Sequence, residues 1–348
     1  MPGAALPPFP DNIKTHPLLV IDYALVKIGS KDEIDRLWEA ATHLGFWYLK
    51  NHGVDIEVEG MFDTATEIMS LPLEEKMKWD QGDSGKSFGY KARGAVVMNE
   101  YGDTDNVEWF NVSKEDALAY PKVIHRTYPE PVNARMESTI TPFVRKSTEV
   151  LETILSVFEK RLGLRSNALL DLHPRSEHSG SETRVIKSPP THMNMDGHVE
   201  KSKVSIGAHT DFGSLTFLHN RLGGLQVLPP GTEEWQYILP IPGYAICNIG
   251  DSLSLLSGAP GMQGVHPRWS VVFFLRPSNN VLLRALDEGN IVKEALSHMN
   301  SEERARYNPG VTQGEWFARR MKFTRLNNIK SPETFLASRG MEHKPKAI

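Results

Sequence analysis

The sequence predicts a mostly β protein with flanking helices: an antiparallel sandwich or barrel core, an N-terminal α/β region and a long supporting helix. Three observations carry this expectation. After about residue 182 the chain changes to short β-branched and aromatic runs separated by Gly, Pro and Asn. Before that point, one long stretch from about Met136 to Leu162 keeps Phe143, Val150, Ile154, Val157, Phe158 and Leu162 on a single broad apolar stripe, wide enough to support a sheet. The length of 348 residues suits one large β unit with helical additions.

The elements follow in order. Residues 1–17 carry five prolines and little apolar periodicity, so they are expected to form an extended arm. LLVID at 18–22 reads as a short buried strand. From Lys31 to Leu44 the residues Ile34, Leu37, Trp38, Ala41 and Leu44 recur at three- and four-residue spacing, which predicts an amphipathic helix ended by Gly45. Phe46 to Lys50 is the next strand. A helix from about Glu57 to Met69 is stopped by Leu71-Pro72, and a short charged helix follows at Glu74 to Lys78. The long helix closes at Gly163. Strands are then expected at 183–187, 203–208, 214–218, 224–228, 235–239, 244–248 and 269–275, with charged helical segments at 293–307 and 314–321. The division read from this is an arm (1–17), an N-terminal helical and strand region (18–181), a core (182–280) and a C-terminal helical segment (281–348).

Composition narrows the function. Lys plus Arg number 39 against 43 Asp plus Glu, with a pI of about 6.4, so no strong basic field exists to hold nucleic acid. The single cysteine, Cys247, has no partner within the chain, which excludes a disulfide framework. No apolar run approaches the roughly 18 residues of a membrane span, and the N-terminus lacks the pattern of a secretory signal. A cytoplasmic protein acting on a small molecule, with neither nucleic acid nor membrane as partner, is the expectation.

The strongest local signal is His209-Thr210-Asp211, followed by Phe212-Gly213. Alternate residues of a strand face one side, about 6 to 7 Å apart, so His209 and Asp211 can converge on one ion. An imidazole and a carboxylate, completed by a second imidazole, form the 2-His-1-carboxylate triad that leaves positions open on iron(II). A second constellation is Arg268-Trp269-Ser270: a guanidinium binds a carboxylate with a rigid fork, and a hydroxyl two residues on adds a further hydrogen bond. Arg276 and Ser278 repeat that spacing, but Pro277 and Asn279-Asn280 place them at a strand end, so Arg268 and Ser270 are preferred.

The string HTDFGSLTFLHNRLGGLQVL, with Gly213, Leu215, Thr216, Gly224, Leu225 and Gln226, resembles the iron(II)- and 2-oxoglutarate-dependent oxygenases of the isopenicillin N synthase-like group. LLVIDYA, GFWYLKNHGVD and LPLEEKMKW are similar to that family's N-terminal region, where His52 of the Asn-His-Gly turn is structural. The resemblance implies a double-stranded β-helix (jelly-roll) core. It further implies Fe(2+) held by His209 and Asp211, and 2-oxoglutarate as cosubstrate with its distal carboxylate on Arg268 and Ser270. Where the family often places a tyrosine or asparagine before a Pro-Pro pair, this chain has Ser188, a weak substitute. Dioxygen splits the oxoacid to succinate and carbon dioxide, and a small organic metabolite is hydroxylated or desaturated. Phe88, Tyr90, Val96, Met98, Tyr101, Trp109 and Phe110 fall where the family's variable substrate lid lies.

The third metal ligand stays open between two alignments. His266 follows Gly250 by 16 residues, which suits the distal histidine, yet it stands only two before Arg268. Alternatively APGMQGVHPRWS matches the loop beyond that histidine. About ten residues, the ligand among them, would then be absent between Gly258 and Ala259. The second alignment admits a degenerate member of the fold that only binds a small ligand, or a faulty exon boundary in an ordinary enzyme.

Overall fold

The computed structural model describes residues 9–188, 207–257, 264–265 (backbone only) and 269–340. Its centre is an eight-stranded sheet. The strands are β1 (Val20–Asp22), β2 (Phe46–Lys50), β3 (Gly89–Lys91), β4 (Glu108–Ser113), β5 (Glu182–Lys187), β6 (Leu215–Asn220), β9 (Ala245–Ile249) and β11 (Trp269–Leu275), in the order β1-β2-β9-β6-β11-β5-β4-β3. Every pairing is antiparallel except β1 with β2. A smaller sheet joins β7 (Gln226–Val227), β8 (Gln236–Tyr237) and β10 (Gly264–Val265) in the order β10-β7-β8. Strands from the N-terminal region thus close both edges of the large sheet.

The period of two divides the sheet's work. On β11, Val271, Phe273 and Leu275 join the large core formed with the helices Asp55–Ser70 and Thr141–Arg161. Val272 and Phe274 turn the other way, into a second cluster with Val107, Trp109 and Ile186. Burial on both faces explains the unbroken apolar run VVFFL. The predicted apolar stripe of the long helix is buried as expected. Its first turn, Met136–Ile140, is π-helical and leads into Thr141–Arg161.

Several expectations need correction. β3 and β4 occupy the stretch read as a substrate lid: Tyr90 and Phe110 belong to the large core, and Tyr101 is exposed. The helix expected at 293–307 is two, Asn290–Ser297 and Ser301–Arg306, because Asn300 caps the second through a reciprocal bond pair with Glu303. The strands expected at 224–228 and 235–239 shrink to two residues each. Asp251–Ser257, given no element from sequence, is a buried helix. Most of the strand expected at 203–208 lies outside the described residues, and residues 207–208 are not in a strand.

Candidate active site

His209 and Asp211 stand on the segment entering β6, fastened to the ends of β9 and β11. The Asp211 carbonyl accepts from Asp251 N–H at 2.8 Å, Gly213 O from Ser252 N–H at 3.0 Å, and Leu275 O from Ser214 N–H at 2.8 Å. Glycine permits this approach: a Cβ on Gly250 would collide with Gly213 O. Beneath, the buried His173 holds Ser214 Oγ at 2.7 Å through Nε2. Burial pushes the pKa of His173 down to about 4, so it is neutral at pH 7.

The Asp211 carboxylate is oriented from the large sheet. Its Oδ2 accepts from Thr216 Oγ1 at 2.5 Å and Asn248 Nδ2 at 2.7 Å, two residues in register across β6 and β9. Oδ1 lies 3.8 Å from His209 Nε2. The His209 Nδ1 is 2.9 Å from Gly207 O. A carbonyl only accepts, so Nδ1 carries the proton and Nε2 the lone pair. Imidazole nitrogen and carboxylate oxygen suit iron(II), and two bonds of roughly 2.1 Å each reach across this separation. The pair therefore fits the metal the resemblance implies. Among the described residues no third His, Cys, Asp or Glu joins them.

The pair opens onto a cavity with apolar walls from Val96, Met98, Trp109 and Phe274, so part of the expected lid does line the site. Four arginines, Arg184, Arg276, Arg320 and Arg339, line the same cavity. Arg320, on the helix Gln313–Thr324, forms a fully buried ion pair with Asp251 at 2.6 Å. Asp251 also accepts from Thr210 Oγ1 at 2.6 Å, and Arg339 donates to Ala208 O at 2.8 Å. The C-terminal segment is in this way tied to the His209-Thr210-Asp211 tripeptide.

Of the other expected residues, Ser270 is buried and shares the inward parity of Val272 and Phe274. Ser188, also buried, follows β5 where Lys187 pairs with Trp269. Both lie at the end of the sheet remote from Asp211; Ser270 is four residues along β11 from Phe274, the partner of Thr216, or about 13 Å, and Ser188 is farther still. His266 and Arg268 lie outside the described residues. Arg276, set aside at the sequence level as a strand-end residue, does follow the end of β11, yet it is buried and faces the cavity. Burial lowers its pKa from the ordinary arginine value, Glu182 and Asp211 oppose that shift, and Arg184 adds to it. The run FFLRP was the available signal, since an arginine buried after an apolar strand needs an acidic partner elsewhere.

The fold is that of a non-haem iron oxygenase, and comparison with known proteins agrees. Residues 18–131 match the family model described as non-haem dioxygenase in morphine synthesis N-terminal. Residues 182–277 match the 2OG-Fe(II) oxygenase superfamily. The chain is 31% identical over 284 residues to a 1-aminocyclopropane-1-carboxylate oxidase of Dictyostelium mucoroides, covering 70% of this chain and 76% of the relative. It is 27% identical to the 2-oxoglutarate-dependent dioxygenase frbH of a Dothideomycetidae species, with 77% and 84% covered. In fold it is similar to a full-length Neurospora crassa protein crystallised in complex with alpha-KG and thymine, at TM-score 0.69 and 20% identity, over 87% of this chain and 96% of that one.

The chain belongs to the 2-oxoglutarate- and iron(II)-dependent oxygenase superfamily. It is an enzyme of the dioxygenase class, and the family's cofactors are Fe(2+), 2-oxoglutarate and dioxygen. The relatives support an oxygenase rather than a protein that only binds a ligand. No helix among the described residues is long and apolar enough to cross a membrane.

Proposed function

We propose that this enzyme hydroxylates or desaturates a small organic metabolite at iron(II) held by His209 and Asp211, with His266 the candidate for the third position. The observation that carries this reading is the opposed pair of side chains: Asp211 Oδ1 and His209 Nε2 face each other at 3.8 Å, while their remaining polar atoms are engaged behind them. The metal with 2-oxoglutarate and dioxygen supplies the oxidation of a carbon–hydrogen bond, coupled to decarboxylation of the oxoacid to succinate. The protein's share is positional. Gly207 O fixes the His209 tautomer, Thr216 and Asn248 hold the Asp211 carboxylate, and Trp109 and Phe274 keep water from the cavity.

Arg268 and Ser270 are proposed to hold the distal carboxylate of 2-oxoglutarate, with Ser188 as a third contact. Their support is the chemistry of the fork and the inward parity of Ser270. A cytoplasmic setting belongs to the same proposal, supported by a sequence whose single cysteine provides no disulfide framework. The test is an anaerobic titration with iron(II) and then 2-oxoglutarate. The expected result is close to one iron per chain and a weak visible absorption that appears only with both present. Protein that takes up neither would sink the reading.

A further inference from the structure

Among the described residues, Arg184 and Arg276 are held together on one shared carboxylate. Both donate to the same atom, Glu182 Oε1, at 2.9 Å and 3.3 Å, and the other Glu182 oxygen accepts from Ser87 Oγ at 2.6 Å. Both guanidiniums sit 5.0 Å from the centre of the Phe274 ring, and both arginines line the cavity that His209 and Asp211 open onto. Arg184 spends a further donor on Asn111 Oδ1 at 2.8 Å. Arg276 is 3% exposed, donates to Gly180 O, and among the described residues its Nε has no hydrogen-bond partner.

A buried guanidinium that shares its carboxylate with a second guanidinium is costly, and an unused buried donor adds to the cost. Asp211 is the other carboxylate whose charge acts on Arg276, and in the reading above Asp211 is committed to the metal. The two carboxylates of 2-oxoglutarate are likewise spoken for, one at the metal and one at Arg268. We propose that the substrate carries a carboxylate, received by Arg276 and Arg184, on an apolar body that lies against Val96, Met98, Trp109 and Phe274. The inference rests on the proposed oxygenase site and names its substrate class.

The test compares acids with their amides by calorimetry on the full chain loaded with iron(II) and 2-oxoglutarate under nitrogen. The probes are octanoate and 3-phenylpropanoate against octanamide and 3-phenylpropanamide. Each acid is expected to bind at least about tenfold more tightly than its amide. In Arg276→Gln that preference is expected to vanish while 2-oxoglutarate affinity is retained. Equal binding of acid and amide to the unaltered protein overturns the proposal without any variant, as does failure of both acids to bind. An Arg276→Gln protein that loses 2-oxoglutarate affinity but keeps the acid preference also overturns it, because the guanidinium then serves the oxoacid. Failure of the oxygenase reading appears separately, as absence of iron and 2-oxoglutarate uptake before any acid is added.

Discussion

The large and small sheets differ in how firmly each holds its residues, and the candidate site is fastened to the large one. β11 pairs with β5 and with β6 over six residues each, and its apolar side chains are buried on both faces. β7, β8 and β10 pair over two residues apiece, hemmed by Gly223-Gly224 and Pro229-Pro230. Asp211 accepts two side-chain hydrogen bonds from the large sheet, whereas His209 Nδ1 donates one to a backbone carbonyl two residues away. A metal site with one ligand braced by a rigid sheet and the other by its own loop should fail most completely when the braced ligand is lost. Asp211→Ala is accordingly expected to reduce iron retention to background, measured as metal per chain after reconstitution. His266→Ala belongs in the same assay: loss equal to that of Asp211→Ala assigns it the third position, and full retention removes it. Full iron content in Asp211→Ala would mean that the metal is held elsewhere.

The next largest effect concerns the attachment of the C-terminal helix to that loop. Arg320 and Asp251 are both fully buried and meet at 2.6 Å. Arg320→Met leaves a buried carboxylate without its guanidinium, expected to cost about 3–5 kcal/mol in urea-induced unfolding. A loss below about 1 kcal/mol would show that the pair behaves as an exposed one and that the segment is held by other contacts. Below this comes Arg268→Lys, which keeps the charge and loses the fork. Its expected cost is about 1.5 to 3 kcal/mol in 2-oxoglutarate affinity, with iron uptake unchanged. Unaltered affinity would transfer the anchor to another residue.

The same contrast between sheets governs how much could be read in advance. Trp269–Leu275 and Phe46–Lys50 were legible to the residue because long apolar runs bounded by polar or breaking residues leave few alternatives. β4 was not, although it is buried throughout. Its polar members are neutralised by partners far along the chain: Glu108 by Lys76 and Tyr90, and Asn111 by Ser87 and Arg184. A local reading sees those residues as solvent-facing. Arg276 escaped for the same reason, since the Glu182 that makes its burial tolerable lies 94 residues earlier. The two-residue strands were overestimated because their apolar runs promise more pairing than their short turns permit. At His209 and Asp211, by contrast, the two-residue spacing did indicate that the side chains approach one another, though they do so on the segment entering β6 and not within a strand.

The smallest predicted effect tests whether the large sheet merely carries Asp211 or also sets its coordinating posture. Thr216 donates to Asp211 Oδ2 at 2.5 Å, and Asn248, its partner across β6 and β9, donates to the same oxygen at 2.7 Å. Thr216→Val keeps the β-branched shape that suits a strand and removes only the hydroxyl. Loss of a partner behind a metal ligand commonly weakens metal binding by about 10–100-fold. Asn248 remains in place, so the lower end, about tenfold, is expected in an iron(II) competition titration. The variant's melting temperature should change little by comparison with Arg320→Met. Affinity equal to the unaltered protein would show that Asn248 suffices to orient the carboxylate. A loss as complete as that of Asp211→Ala would instead mean that the hydroxyl holds the whole loop, with the difference in bracing between the two ligands larger than the hydrogen bonds alone convey.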